Sequence, residues 1–394
     1  MPVLFLIVLI DLIGFGLVIP LLPFYAERFA ASPQTVTALM AVFSLMSMLT
    51  APFWGRLSDR VGRRPVLMVS MAAASLAYLW MGFADALWMV FAARALAGAC
   101  AGNIAAANAY IADVTTPENR AKGMGMIGAA FGLGFIIGPA LGGLLAGNKL
   151  ATADLRTPGL VACALSLVAL LGIVFALKES LPPGLPQRKR RSRVELLREA
   201  LARKVLARLL AIFFLTILAF AGMEATFALW AMAQFGWGPA QIGYVFTYVG
   251  LISAIMQGGL IGRLTARFGE EKLLIAGLAS IALGLLILPA AGDLALLLAS
   301  VTFLALGMGA MQPSLNSLIS RRAGAEEQGE VMGVAQSVAS LSRVLGPLLA
   351  GLLFAGFGRD SPFLCGMVLV VAAALIGWRL PPAQPAAAAP RPAE

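Results

Sequence analysis

The sequence predicts an all-α polytopic membrane protein, with twelve transmembrane helices arranged as two pseudo-symmetric six-helix bundles. Three observations lead there. Hydrophobic residues make up 60% of the 394 and charged residues only 12%, against roughly 25% charged in soluble domains. Apolar runs of about 18 to 30 residues recur along the whole chain, long enough to cross about 30 Å of hydrocarbon straight or tilted. Separated landmarks of the first half return in the second at a nearly constant offset.

The runs lie near residues 2–26, 36–55, 66–84, 87–112, 122–147 and 157–178, then 205–233, 240–261, 272–290, 293–319, 329–356 and 361–379. The first has no Lys or Arg before it, carries Asp11 within it and lacks a small-residue cleavage site, so it reads as a retained span. Between the two sets, Pro182-Pro183-Gly184 and the run Arg188, Lys189, Arg190, Arg191 and Arg193 form a water-loving linker. The expected organisation is a bundle over 1–179, a basic linker over 180–204, a second bundle over 205–379, and a Pro- and Ala-rich tail over 380–394 without core-building periodicity, read as disordered.

The repetition is specific. Gly55-Arg56-Leu57-Ser58-Asp59-Arg60-Val61-Gly62 returns as Gly262-Arg263-Leu264-Thr265-Ala266-Arg267-Phe268-Gly269, and Gly138-Pro139 as Gly346-Pro347. Glu118, Met124 and Gly125 map onto Glu326, Met332 and Gly333. Orientation follows from the basic residues, which gather on the cytoplasmic side. With the N-terminus inside, the external loops hold only Arg28, Lys149, Arg156 and Arg359 of 29 Lys and Arg. Both termini are therefore expected in the cytoplasm. The net charge of +10 is then explained by topology and anionic lipid headgroups, with no nucleic-acid partner.

Histidine is absent, and Cys100, Cys163 and Cys365 lie in apolar runs without neighbours at metal-ligand spacing. With no phosphate-binding Gly-Lys-Ser/Thr loop either, no metal, no cofactor and no enzyme activity is expected. Carboxylates are left as the proton carriers near neutral pH. Asp11 sits about nine residues into the first span, about 14 Å of helix and close to the bilayer midplane. A carboxylate there must be protonated, paired or wetted, and passage between those conditions moves a proton.

Arg94 in the fourth span, Glu224 in the seventh and Arg343 in the eleventh fall at similar depth, so the four ionisable groups are expected to share one polar cavity. For each, coupling or substrate contact stands beside a static ion pair. Arg94 stays charged, so it would bias a carboxylate or hold an anionic group. Further candidate lining comprises Asn103, Asn108, Gln257, Gln312, Asn316 and Gln336, each of which could equally be interhelical glue. Phe15, Phe131, Phe227, Trp230 and Tyr248 would supply an adaptable apolar surface, or simply pack. In the fifth span Gly134, Gly138 and Gly142 recur every four residues beside Gly143 and Pro139. That smooth ridge suits close packing and, by its density, an interface that slides or rocks.

Gly55 to Arg64 resembles the loop signature of the major facilitator superfamily, placed between spans two and three as in that family. Arg94-Ala95-Leu96-Ala97-Gly98 is similar to its fourth-span motif, Gly134 to Gly143 to the fifth-span motif of antiporters, and Asp11 with Pro20 and Pro23 to the first span of the drug:proton antiporters. The likeness covers nearly the whole chain and lies nearest the tetracycline-efflux branch. It implies the major facilitator fold in a bacterial inner (plasma) membrane, a central cavity opening alternately to each side, and a functional monomer. Asp59 would latch the cytoplasmic side, capping a facing helix such as the start of span eleven. Gly55, Arg60, Gly62, Arg63, Arg64, Asp113 and Arg120 would complete the gating network.

The chain also departs from the family. Ala266 stands opposite Asp59 and Glu270 opposite Arg63, so a latch of the first type should be weak or absent in the second half. The ninth span has no acid and the eighth no histidine, where tetracycline exporters are expected to carry ionisable groups; Glu224 would replace the missing acid. The expected activity is export of small amphipathic or drug-like molecules in exchange for protons. Import of a nutrient, or a non-transporting scaffold or receptor, are the rival readings.

Overall fold

A computed structural model of the chain describes residues 2–149, 152–181, 193–323 and 327–380, without the side chains at 117, 118, 120–122, 193 and 194. Linker residues 182–192, the tail after 380, Glu326 and the Arg120 side chain lie outside the described residues. Among those described there is no strand, and twelve helices are long and apolar enough to cross a bilayer. The first six are Pro2–Arg28, Pro33–Val61, Arg63–Gly82, Leu87–Val114, Gly123–Ala146 and Arg156–Ala176. The second six are Lys204–Phe235, Pro239–Phe268, Glu270–Ala290, Leu294–Arg322, Gln328–Phe357 and Ser361–Trp378. Large apolar side chains such as Phe175, Phe357 and Trp378 are more than three-quarters exposed, which suits lipid as solvent; the chain is an integral membrane protein.

Local sequence explains where the spans bend. Pro20 and Pro23 remove N–H donors, and the first span tightens into a 3₁₀ turn over Ile19–Leu21. The fourth splits into Leu87–Ala99 and Asn103–Val114 around Cys100-Ala101-Gly102. The eighth carries a π-helical turn over Met256–Leu260, where Gly258 and Gly259 lower the barrier to an extra residue. Within the expected linker, Arg193–Ala202 forms a further helix, which packs on the eleventh span and buries Ala200. Beside it Arg203 pairs with Glu327 at 2.6 Å.

Twelve spans put both ends of the bundle pair on the face that carries the short basic loops after spans two, four, eight and ten. We call this the basic face and the other the far face. In the first bundle, span one packs against five and six, and three against six; in the second, seven packs against eleven and twelve, and nine against ten. Spans two and eleven, and five and eight, join the bundles. The duplication holds in the backbone. Gly62 (φ 105°) and Gly269 (φ 79°) turn the chain between spans two and three and between eight and nine, a left-handed conformation that glycine adopts without strain.

The joints between bundles sit near the far face. A Cβ at Gly143 would lie 2.9 Å from the Pro239 carbonyl, and one at Gly250 2.9 Å from that of Phe135. The Ala240 N–H donates to Gly147 O at 3.1 Å and the Thr247 hydroxyl to Ile136 O at 3.2 Å. Toward the basic face the same spans part: Gly125 and Gly128 on span five, and Gly258, Gly259 and Gly262 on span eight, have nothing within 4 Å of a would-be Cβ.

Candidate functional site

The break in span four builds the first cluster. Gly98 lets the span approach the Phe43 backbone, where a Cβ would stand 2.9 Å from Phe43 Cα. Gly102 likewise lies under the Trp54 ring. Interrupting the helix frees carbonyls, and Trp54 Nε1 donates to that of Ala99 at 2.6 Å. Asn103 thereby becomes the first residue of the second half-helix, and its side-chain amide donates to the Asp11 carboxylate. Asp11 is only 7% exposed. Burial and the Asn103 hydrogen bond act on its proton in opposite senses, and the positive end of the half-helix lies beside it.

Tyr78 of span three stands within electrostatic reach of both Asp11 and Arg94. Arg94 is 5% exposed, and its guanidinium carbon lies 4.5 Å from the Phe43 ring centroid. Its Nε has no hydrogen-bond partner. Among the described residues it pairs with no carboxylate, so the π face of Phe43 is its main compensation.

Glu224 and Arg343 form a separate pair in the second bundle, within electrostatic reach of each other. Neither makes a hydrogen bond or an ion pair within 4 Å among the described residues. Among the described residues no hydrogen bond or ion pair within 4 Å links Asp11 or Arg94 with Glu224 or Arg343. Phe43, Tyr78 and Asn103, which stand beside Arg94 or Asp11, come from spans two, three and four, and the residues around Glu224 come from spans seven, eight, ten and eleven. Glu224 lines a cavity of about 40 Å³ walled by phenylalanine, methionine and aliphatic side chains.

Phe15 lies 5.4 Å from Phe43 and 6.3 Å from Phe135, which stacks on Phe131 at 6.5 Å. These rings join spans one, two and five. Phe227 is buried beside Phe246. Trp230 is a correction to the expected lining. It is wholly buried, packs edge-on to Phe235 and Phe363, and donates its indole N–H to Asp360 at 2.8 Å, pegging span seven to the start of twelve. Tyr248 shares a hydrogen bond with Thr302 at 2.9 Å and ties span eight to ten. Gln257 and Gln336 are exposed on spans eight and eleven, whereas Asn108, Gln312 and Asn316 are half-buried.

On the basic face Arg63 is the hub. Its guanidinium donates to Asp59 at 2.6 Å, Asp113 at 2.9 Å and Ser58 at 3.1 Å. Arg64 donates to the Val174 carbonyl at 2.6 Å at the end of span six. Glu179, which the sequence reading passed over, accepts from the backbone N–H of Arg63 at 2.9 Å and of Arg64 at 3.1 Å. A Cβ on Gly62 would strike that carboxylate. The only sequence signal for Glu179 is a single acid just after span six. Arg60 is exposed and Gly55 half-buried.

In the second half the ion pair is reversed. Glu270 replaces Arg63 and faces Arg321 at 3.7 Å, and it accepts from Ser317 at 2.6 Å. At the start of span eleven a Cβ on Gly329 or Gly333 would face open space.

The glycine ridge divides its work. Gly134, Gly138 and Gly142 pack on span one, where a Cβ at Gly138 would lie 2.8 Å from Gly16 Cα and one at Gly134 2.6 Å from Leu12 Cβ. Gly143, with the Pro139 carbonyl, faces span eight.

The family model described as Major Facilitator Superfamily matches residues 4–263 and 212–394. The tetracycline resistance protein, class C, of Escherichia coli is 33% identical over 374 residues, 93% of this chain and 92% of that protein. Multidrug resistance protein 2 of Bacillus subtilis (strain 168) is 31% identical, covering 92% and 91%. Among solved structures, the human organic anion transporter MFSD10 superposes with a TM-score of 0.72 at 26% identity, covering 95% of this chain and 98% of that one. A bacterial homologue of the human lysosomal transporter Spinster, in an inward-facing and occupied conformation, reaches 0.77 at 16% identity, covering 95% of each, a likeness of fold alone.

Proposed function

The chain belongs to the major facilitator superfamily, and from that premise we propose that it is a proton-coupled antiporter that exports small amphipathic or drug-like molecules by alternating access. The observation that carries the reading is Asp11, buried at the break of span four with Asn103 on its carboxylate. The span that bears it is also the span laid against the glycine ridge. A proton on that carboxylate changes the charge of a dry site, and the half-helix and Tyr78 around it feel the change. Ridge and span touch through backbone, so a small shift of one is carried into the other.

The basic face is the cytoplasmic face in this proposal, with both termini on it, in a bacterial inner membrane. Cargo enters between the parted halves of spans five and eight, and the far-face joints keep it from the exterior. Proton arrival at Asp11 from the exterior and cargo departure to it then alternate, one H⁺ entering as cargo leaves. A membrane potential adds about 2.3 kcal/mol per charge per 100 mV to the exchange. The protein works as a monomer among lipids, without cofactor, metal or nucleic acid. Resistance relatives of both names are consistent with a drug-like cargo.

The test is uptake into inverted vesicles. Asp11→Asn should abolish cargo accumulation driven by a proton gradient, while the variant still reaches the membrane. Undiminished accumulation would remove Asp11 from the mechanism, and protons moving out of step with cargo would remove exchange.

A further inference from the structure

We infer that the far-face corner where spans three, four and six meet is a docking surface for an anionic phospholipid. Arg156 holds its phosphate, and its glycerol and upper acyl chains lie against Phe83, Trp80 and Trp88. The site is outside the cargo path and does not depend on the antiport reading. Two glycines build the corner. A Cβ on Gly159 would stand 2.8 Å from Gly82 Cα, and one on Gly82 3.3 Å from the Arg156 carbonyl, so the end of span three crosses the start of span six at backbone contact. That crossing sets the Arg156 guanidinium over the Phe83 ring, 4.2 Å from its centroid. Trp80, nearly one turn before Phe83, meets Trp88 of span four edge to face, with centroids 6.1 Å apart and planes at 80°. Spans three and six pack chiefly on helices of their own bundle, and Phe83 is 49% and Trp88 64% exposed. The corner therefore faces lipid rather than the gap between the bundles.

Charge chooses the lipid. Basic residues gather on the cytoplasmic side of membrane proteins, and the far face keeps only Arg28, Lys149, Arg156 and Arg359. Arg359 is spent within the protein, donating to the Ala233 carbonyl at 3.1 Å and to Gln234 at 2.5 Å. Arg156 is exposed, and its guanidinium makes no hydrogen bond or ion pair within 4 Å among the described residues. Asp154 acts on it electrostatically, but that carboxylate already accepts from the backbone N–H of Arg156 at 2.9 Å and of Thr157 at 3.0 Å, and from the Thr157 hydroxyl at 2.5 Å. Phe83 covers one face of the flat guanidinium and leaves its rim of N–H donors, which matches a phosphate through two parallel hydrogen bonds. Aromatic rings at headgroup level take up the apolar part of the lipid. Trp80 and Trp88 make no hydrogen bond among the described residues, so their indole N–H groups are left for its ester oxygens. A phosphocholine head would bring its own ammonium up to Arg156, whereas a phosphoglycerol head brings no positive charge.

The experiment places the purified full chain in phosphatidylcholine vesicles with a small share of phosphatidylglycerol that carries a photoreactive diazirine next to its glycerol backbone. Adducts formed on illumination are mapped by peptide mass spectrometry. The wild type should be labelled within residues 80–88, and the same diazirine on phosphatidylcholine should label that stretch several-fold less. Arg156→Gln should cut the labelling about fivefold, the scale of one basic residue at an anionic surface. Trp88→Leu should also lower it, while Arg359→Gln leaves it unchanged. Labelling of the basic-face loops serves as the internal reference and should be the same in all four proteins. Each variant is first checked to melt as the wild type does, and if Arg156→Gln fails that check the comparison of the two lipids on the wild type decides. Equal labelling of residues 80–88 in wild type and Arg156→Gln, equal labelling by the two lipids, or an equal loss in Arg359→Gln overturns the proposal.

Discussion

Glu179 holds the corner between spans two and three through backbone alone. Burial opposes its charge, yet N–H donors from Leu181, Arg63, Arg64 and Ser180 outweigh that, and its carboxyl titrates below the ordinary carboxylate range. A depressed value in the folded protein means that the stabilisation is complete near neutral pH and is lost as pH falls through that depressed value. Glu179→Gln keeps the shape but loses the charge, and should destabilise by about 1 kcal/mol. Melting curves between pH 7 and pH 3 check it, since the gap between variant and wild type should close toward the acid end. A gap that is constant with pH would mean that the charge is irrelevant. Asp154 behaves alike on the far face, held low first by the Thr157 hydroxyl and then by backbone donors at the start of span six. At this scale the sequence exposed the rare charges and hid their partners. Asp11 was legible because it is an acid in an apolar run, but its bond to Asn103 joins residues 92 apart. Nothing local marked Glu179 as the acceptor for a glycine corner 115 or more residues earlier.

Among elements, the glycine ridge places two partners on one helix. Its repeat every four residues gave away a close approach, and the structure assigns that approach to span one and the neighbouring Gly143 surface to span eight. Gly138→Leu would push a side chain into Gly16 and the Ile13 carbonyl. The expected cost is about 1–3 kcal/mol of overpacking, with loss of coupled export, whereas Gly128→Leu, which meets open space, should leave thermal stability unchanged. Equal melting of wild type and Gly138→Leu would show that the two spans can separate freely. The twelve spans were readable because bilayer thickness imposes run length. Which side of a span faces inward was not, because lipid is as apolar as a bundle core and the polarity contrast that marks a soluble helix is weak. Trp230 was misplaced for that reason: nothing in its run separates a ring lining a cavity from one pegged to Asp360. The breaks at Cys100 to Gly102 and at Met256 to Leu260 were likewise hidden inside unbroken apolar runs.

For the whole molecule, alternating access requires the far-face joints to open, and one of them can be tied shut. A Cβ on Gly351 of span eleven would lie 3.1 Å from Thr37 Cβ of span two, close to the 3.5–4.5 Å of a disulfide. A chain with Thr37→Cys and Gly351→Cys, and with Cys100, Cys163 and Cys365 replaced by Ser or Ala, should form that bond under oxidation and fix the bundles as they now stand. Proton-driven accumulation in inverted vesicles should then fall by at least about tenfold and return on reduction, because closing one disulfide forbids every state in which spans two and eleven part at the far face. Cargo binding from the basic face should persist in the oxidised protein, since the halves of spans five and eight on that side are already apart. Accumulation at the wild-type rate with the bond demonstrably formed would mean that the far face does not open between spans two and eleven. The exit would then lie at the joint of spans five and eight, where the Ala240 to Gly147 and Thr247 to Ile136 hydrogen bonds would have to break.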